Sequence, residues 1–284
     1  MKRLVLYLVL LMVAGLAWSA SEPLETERPL RIGLTPTFPN DQYRPLEAWR
    51  LYMERKLHRR VEFVQRNKYI DTIDLLSLKK LDFAWICDYP YVYFKKQLRL
   101  LATPVYNGRP YYRSYLIVPA TDTTTTSLAQ LKDKVFAFTD PYSNTGYLAP
   151  RFALHQAGEE PKHFFRKTFF AWSHRRVLEA VASGLAHGGA VSNHVWETLS
   201  IGKSELTSAT RIVSTSDEYG FAPIVARDTV SDTDFEVMRQ LLLGMATDPE
   251  GKLLLKELNL DGFVAGDPQI YLRVEQVMRQ LDGK

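Results

Sequence analysis

Between Leu30 and Ile86 the chain switches repeatedly between a strand period and a helix period, and that alternation narrows its fold more than any other feature. Leu30-Arg-Ile-Gly-Leu34 alternates as a strand does. After a proline-punctuated loop, a helical period begins at Tyr43, with Leu46, Trp49, Leu51, Tyr52 and Leu57 on one stripe. Val61-Glu-Phe-Val64 predicts a second strand, Tyr69 to Lys79 a second helix and Leu81 to Ile86 a third strand. Strands separated by helices predict an α/β fold with a largely parallel sheet. In such sheets ligands bind beyond the carboxyl ends of strands. Three loops take that position: Thr35 to Tyr43, Cys87 to Tyr93 and Asp140 to Gly146.

The third loop carries the most chemistry. Val135 to Phe138 predicts a buried strand, which Asp140-Pro141 ends because a proline turns the residue before it away from helix. Ser143, Asn144 and Thr145 then stand where a helical pattern through Leu148, Phe152, Ala153 and His155 begins, ahead of a stop at Gly158. A helix N-terminus has unpaired N–H groups and about half a positive charge. Hydroxyl and amide side chains placed there form an anion cradle, and Gly146 lets a ligand come close to the backbone. The same residues also suit a plain N-cap, and on the motif alone both readings stand.

Further along, Cys87-Asp-Tyr-Pro-Tyr91-Val-Tyr93 is unusually aromatic for a strand-to-helix junction. Such rings either wall a pocket, with hydroxyls as donors, or pack under a neighbouring helix. Ser173-His174 opens another helix, so His174 stands at a second helix start. Gly188 to Ser192-Asn193 is a compact strand and loop whose polar end faces the same side. Leu116 to Ala120 reads as a first crossing between two lobes and Tyr219 to Ala226 as the return. Helices follow from Ser231-Asp-Thr-Asp234, over Gly251 to Leu258 and over Ile270 to Leu281, the last expected to pack on the first lobe.

Composition removes several classes. Met1 to Ser19 has Lys2 and Arg3, an apolar run and a small-x-small end, the layout of a cleavable signal peptide, and predicts export to the periplasm. Its apolar run is shorter than the ~20 residues of a membrane span. Removing Lys2 and Arg3 from the 36 Lys and Arg leaves 34 against 32 Asp and Glu, a net charge of +2 with no basic stripe, which argues against nucleic acid. The lone Cys87 forms no internal disulfide, so packing holds the exported chain.

On these stretches the chain resembles the periplasmic phosphonate-binding proteins of ABC transporters, a branch of the type II periplasmic binding proteins that includes phosphate and phosphite binders. The resemblance rests on Leu81-Asp-Phe-Ala-Trp through Tyr91, on Arg109-Pro-Tyr-Tyr-Arg-Ser, on Asp140-Pro-Tyr-Ser-Asn-Thr-Gly and on the Ser173-His174 helix start. It implies a two-lobed fold, each lobe a mixed, mainly parallel sheet flanked by helices, joined by two hinge crossings. Lobe 1 is expected over residues 20–117 and 222–284, and lobe 2 over 118–221. The implied ligand-binding residues are Ser143, Asn144 and Thr145, with Tyr91, His174 and the weaker match Tyr43. Ser192 stands where the family often has an acid able to pair with a substrate ammonium, which leaves open phosphate, phosphite, a simple phosphonate or another small oxyanion.

The expected activity is therefore binding without chemistry. A monomer closes on a small oxyanion and presents it to an ABC permease, or alternatively to a membrane sensor protein, with no cofactor and no metal. Two rival readings set tests for the structure. A serine hydrolase would pair Ser143 with His174 and Asp140, although no Gly-x-Ser-x-Gly elbow is present. A metal site would draw on His155, His163, His174, His187 and His194, whose spacings match no zinc pattern.

Overall fold

A computed structural model describes residues 28–36, 43–202 and 204–283. The signal-peptide reading of residues 1–19, most of the Thr35 to Tyr43 loop and the Tyr43 side chain lie outside the described set.

Thirteen strands are found among the described residues: β1 (Leu30–Leu34), β2 (Val61–Gln65), β3 (Phe83–Trp85), β4 (Leu98–Val105), β5 (Tyr111–Tyr112), β6 (Ser114–Pro119), β7 (Val135–Phe138), β8 (Lys167–Phe170), β9 (Gly188–Ser192), β10 (Thr210–Thr215), β11 (Tyr219–Gly220), β12 (Ile224–Arg227) and β13 (Gly262–Ala265). The first sheet runs β13-β4-β12-β3-β1-β2, with β1 parallel to β2 and β3 and with β12 and β13 antiparallel to their neighbours. The second runs β10-β6-β9-β7-β8, with β7, β8 and β9 parallel. Both sheets are mixed, as expected of a type II periplasmic binding protein, but they are not mainly parallel: four of their strand pairs are parallel and five antiparallel. A two-stranded ribbon, β5 with β11, stands between them.

That ribbon moves the crossing. Leu116 to Ala120, expected to pass between lobes, lies almost wholly within β6, which is hydrogen-bonded on both sides inside the second sheet. The chain leaves the first sheet at the end of β4 and crosses through β5, returning through β11. The error has a physical origin: Ser-Tyr-Leu-Ile-Val is an apolar run, and such a run marks a strand without saying which sheet it joins.

Helices cover both sheets: α1 (Tyr43–Leu57), α2 (Tyr69–Ser77), α3 (Asp88–Phe94), α4 (Ala149–Gln156), α5 (Pro161–Phe164), α6 (His174–Ala182), α7 (Asn193–Ile201), α8 (Glu205–Ser208), α9 (Asp232–Gly244), α10 (Pro249–Glu257) and α11 (Leu272–Leu281). The core of the first sheet is aromatic. Trp49 of α1 lies edge-on to Trp85 at 5.9 Å and stacks on Phe263 at 6.5 Å, and burial of side chains of this size supplies roughly 1.5–3 kcal/mol each. Gly33 of β1 permits this packing, since a Cβ there would lie 2.6 Å from Leu81 Cδ1 and 2.7 Å from Thr72 Cγ2. The C-terminal helix differs from expectation in reach. Besides α3 it packs on α4, so Val274 and Val277 share one buried cluster with Leu148, Ala149 and Phe152. The helix that follows the Ser143 loop is thereby clamped from the first lobe.

Candidate interlobe binding site

The carboxyl ends of β1 and β3 in the first sheet face those of β7 and β9 in the second, and the chain puts polar residues at each. Past β7, Ser143 has an extended backbone, and its Oγ accepts from Gly146 N–H at 3.0 Å. Asn144 to Leu148 form a π-helical turn that runs straight into α4. Wide turns of this kind insert a residue and re-aim the groups around it. Gly146 is required here, because a Cβ would sit 2.1 Å from Thr139 Oγ1 and 2.3 Å from Thr139 Cβ. Ser143, Asn144 and Thr145 are all buried. Asn144 Oδ1 and Thr145 Oγ1 have no hydrogen-bond partner. Buried polar atoms are nearly always paired, so two orphans in adjacent residues at a helix start stand out.

The first lobe meets this turn through the residues after β3. Asn144 N–H donates to Cys87 Sγ at 3.3 Å, and Asn144 Nδ2 donates to Asp88 Oδ2 at 2.7 Å. Asp88 Oδ1 accepts from Tyr112 Oη at 2.6 Å, Tyr89 N–H at 3.0 Å and Cys87 Sγ at 3.1 Å. Burial raises the Asp88 carboxyl to about 6, against the pull of its hydrogen bonds from Tyr112, Cys87 and Asn144. Burial, and then the Asp88 charge, hold the Cys87 thiol well above its usual range, so it stays protonated.

His174 closes the second-lobe side. Its Nδ1 accepts from Ser192 N–H at 3.1 Å, and Thr139 Oγ1 lies 3.1 Å from the same nitrogen. Burial, with His194 nearby, pushes its pKa down to about 3, so the ring is neutral. A neutral ring that accepts at Nδ1 carries its proton at Nε2. That N–H has no partner among the described residues. His194 is likewise held neutral, at about 4, by burial against the bonds its Nε2 makes to the carbonyls of Leu258 and Asn259 at 3.1 and 3.2 Å.

A cavity of about 20 Å³ lies between these walls, close to the space of one water. Tyr69, Trp85 and Cys87 line it from the first lobe, Tyr112, Phe221 and Ala222 from the hinge, and His174, Ser192 and His194 from the second. None of the nine bears a positive charge. Around it the lobes hold each other at several points. Asp140 Oδ2 accepts from Tyr69 N–H at 3.1 Å, Asn259 Nδ2 donates to Thr198 Oγ1 at 3.0 Å, and the Glu197 carboxylate takes the hydroxyls of both Tyr106 and Tyr115.

Of the residues singled out by sequence, His174 and Ser192 line the cavity, and Ser143, Asn144 and Thr145 are joined to its Cys87 wall through Asn144. Tyr91 is elsewhere: its ring lies edge-on to Tyr271 at 4.8 Å, and it is not a lining residue. Tyr89 and Tyr93 pack on Tyr142 of the opposite lobe at 6.0 and 6.3 Å, so those two rings of the α3 cluster are interlobe packing. Tyr43 opens α1. Sequence reasoning missed Asp88 and Tyr112. The signals were a polar residue at the carboxyl end of β3, and the Arg109-Pro-Tyr-Tyr-Arg-Ser stretch.

The two rival chemistries find no geometry here. Ser143 Oγ is engaged with Gly146 N–H, the Asp140 carboxylate with the N–H groups of Tyr69 and Tyr142, and His174 Nδ1 with Ser192 N–H, so the three make no relay. Among the described residues no three His, Cys, Asp or Glu side chains gather as metal ligands.

Comparison with known proteins bears on family and fold. The family model for the periplasmic substrate-binding protein of phosphonate ABC transporters matches residues 32–271. A probable ABC transporter phosphite-binding protein of Prochlorococcus marinus is 28% identical over 161 residues, 55% of this chain and only 54% of that relative's length. The solved structure of the binding protein component of an ABC phosphonate transporter from Pseudomonas aeruginosa superposes with a TM-score of 0.83 at 22% identity, covering 90% of this chain and 87% of the other. A Prochlorococcus marinus structure in complex with methylphosphonate gives 0.81 at 22% identity, covering 89% and 98%.

Proposed function

Since this chain belongs to the family of periplasmic substrate-binding proteins of phosphonate ABC transporters, we propose that it binds a small oxyanion of the phosphonate, phosphate or phosphite class in the periplasm and hands it to an ABC permease. The observation that carries this reading is the pair of orphaned buried atoms, Asn144 Oδ1 and Thr145 Oγ1, at the start of the helix that enters the cleft. The turn and the Thr145 hydroxyl would hold one face of the anion. His174 Nε2–H would donate from the second lobe, with Ser192 N–H fixing the ring's tautomer. Neutral donors suit this task. A Lys or Arg drawn into so dry a space would lose several kcal/mol of hydration, whereas oriented N–H and O–H dipoles arrive already placed.

A tetrahedral oxyanion is larger than a 20 Å³ cavity, so the lobes must part about the β5–β11 ribbon to admit it and close again around it. The role is binding without catalysis, as the separate engagements of Ser143, Asp140 and His174 support. Isothermal titration with phosphate, phosphite, methylphosphonate, aminoethylphosphonate and sulfate tests it. Thr145→Ala should weaken the preferred ligand roughly 10- to 100-fold, the scale of a hydrogen bond to a charged group. Silence across the panel, or unchanged affinity in Thr145→Ala, would place the ligand elsewhere.

A further inference from the structure

We propose that Asp88 and Asn144 together make this site select an oxyanion that still carries a proton, against one that carries none. The inference rests on the oxyanion reading above and sharpens it.

An ionised carboxylate only accepts, with room for about four donors. Asp88 has four: Tyr112 Oη, Cys87 Sγ, Tyr89 N–H and Asn144 Nδ2. Three of the four converge on Oδ1, and Oδ2 takes the bond from Asn144. What Asp88 does is fix the Asn144 amide. With one Nδ2 hydrogen committed to Asp88, the amide cannot turn over without breaking that bond, so Oδ1 keeps its place, and that oxygen is buried without a partner. The first residue of the turn therefore presents an acceptor beside a carboxylate. A serine or threonine there could rotate its hydroxyl to donate; at the position of this Oδ1 the asparagine only accepts. A fully deprotonated ligand would set its oxygens against Oδ1, whereas a ligand with a P–OH group donates to it.

Among the described residues no cation is found to relieve the charge. The groups that feel Asp88 are Cys87, Tyr112, Tyr219 and Tyr271, all weak acids that its field holds further in their neutral forms. Arg273, near Tyr219, is paired with Asp217. His174 and His194 face the same cavity, and burial keeps both neutral.

The test is titration of wild type and Asp88→Asn with phosphite, phosphate, methylphosphonate and sulfate at about pH 7 and about pH 9, both above the Asp88 value of about 6 so that its carboxylate stays ionised, a range over which the singly protonated form of a phosphonate-type group falls away. Several buffers of different ionisation heat report the protons taken up. In wild type, phosphite and methylphosphonate should bind at least tenfold tighter at the lower pH and take up close to one proton at the higher, phosphate, whose dianion keeps a P–OH, should take up none, and the best of the three should outcompete sulfate by 100-fold or more. In Asp88→Asn, Asn144 can turn to accept or donate, and sulfate discrimination should fall by at least tenfold. Sulfate bound by wild type as tightly as the best phosphorus ligand, or phosphite and methylphosphonate affinity that rises with pH without proton uptake, would overturn the proposal while leaving oxyanion binding intact. Failure of wild type to bind any of the four would instead remove the parent reading and this one with it. The wild-type arms decide the matter even if the variant misfolds.

Discussion

Acidification offers the sharpest test of the buried cleft, and His174→Gln isolates its main component. The ring's pKa falls from 6.5 to about 3 on folding because burial disfavours the imidazolium. A group whose folded pKa is depressed stabilises the fold above its unfolded pKa and loses that contribution as pH falls towards the folded value. At about pH 4.5, two units below 6.5, the loss is about 2.7 kcal/mol at 1.36 kcal/mol per unit. His194, held at about 4, loses nearly as much. Asp88 works the other way. Its folded pKa of about 6 exceeds 3.8, so its penalty at neutral pH is relieved by acid, returning about 2 kcal/mol over the same interval. The three groups together predict a net loss of roughly 3 kcal/mol between about pH 7 and about pH 4.5. Glutamine at 174 keeps an acceptor for Ser192 N–H and removes the titration. Urea unfolding at both pH values, extrapolated to water, should therefore give a pH-dependent loss smaller by roughly 2–3 kcal/mol in the variant. Equal losses in variant and wild type would refute the premise that His174 is buried and neutral, and with it the assignment of its proton to Nε2.

Two further outcomes follow from packing. Gly146→Ala drives a Cβ to 2.1 Å from Thr139 Oγ1, so the turn must shift. A stability loss of about 1–3 kcal/mol is expected from such overpacking, seen in urea unfolding, together with at least tenfold weaker ligand binding by calorimetry. Glu197→Ala removes a carboxylate shared by Tyr106, just past β4, and Tyr115 of β6. Without that latch the closed form should lose about 1–3 kcal/mol, visible as a larger radius of gyration in small-angle scattering and a several-fold weaker affinity, while the melting temperature changes little.

Most of the scaffold was legible because it obeys local periods. The β1–α1–β2–α2–β3 run, the Ser143 turn and the Ser173-capped start of α6 all announce themselves through apolar spacing and caps. What escaped was decided by partners distant in sequence. β4 contains Pro104, which argues against a central strand. It is tolerated because β12 pairs with β4 only as far as Ala102, leaving β13 alone beside the proline. The first crossing was misplaced because β6 and the ribbon strand β5 are separated only by Arg113 and differ in pairing partner rather than in character. Tyr91 and Tyr112 show the same limit in the site. Both are tyrosines beside a polar stretch, and only the fold turns one towards Tyr271 and the other onto Asp88.

The bond between Asn144 Nδ2 and Asp88 Oδ2 joins recognition to motion. It spans the two lobes, as does the bond from Asn144 N–H to Cys87. Both break when the lobes part, and the amide is then free to turn. On the proposal above, the acceptor face offered to the ligand would exist only in the closed form, where Asp88 holds the asparagine. A ligand shifts a conformational equilibrium only by its difference in affinity for the two states. Here an anion with a proton to give gains one hydrogen bond on closure, at Oδ1, while a proton-free anion meets an oxygen there and gains nothing. Selectivity on this account lies in the closing step more than in first contact. Both kinds of ligand should then associate with the open form at similar rates, and the protonated one should leave more slowly. Stopped-flow measurement of the two rate constants for a phosphorus oxyanion and for sulfate decides it: discrimination found wholly in association would separate the Asp88–Asn144 pair from closure.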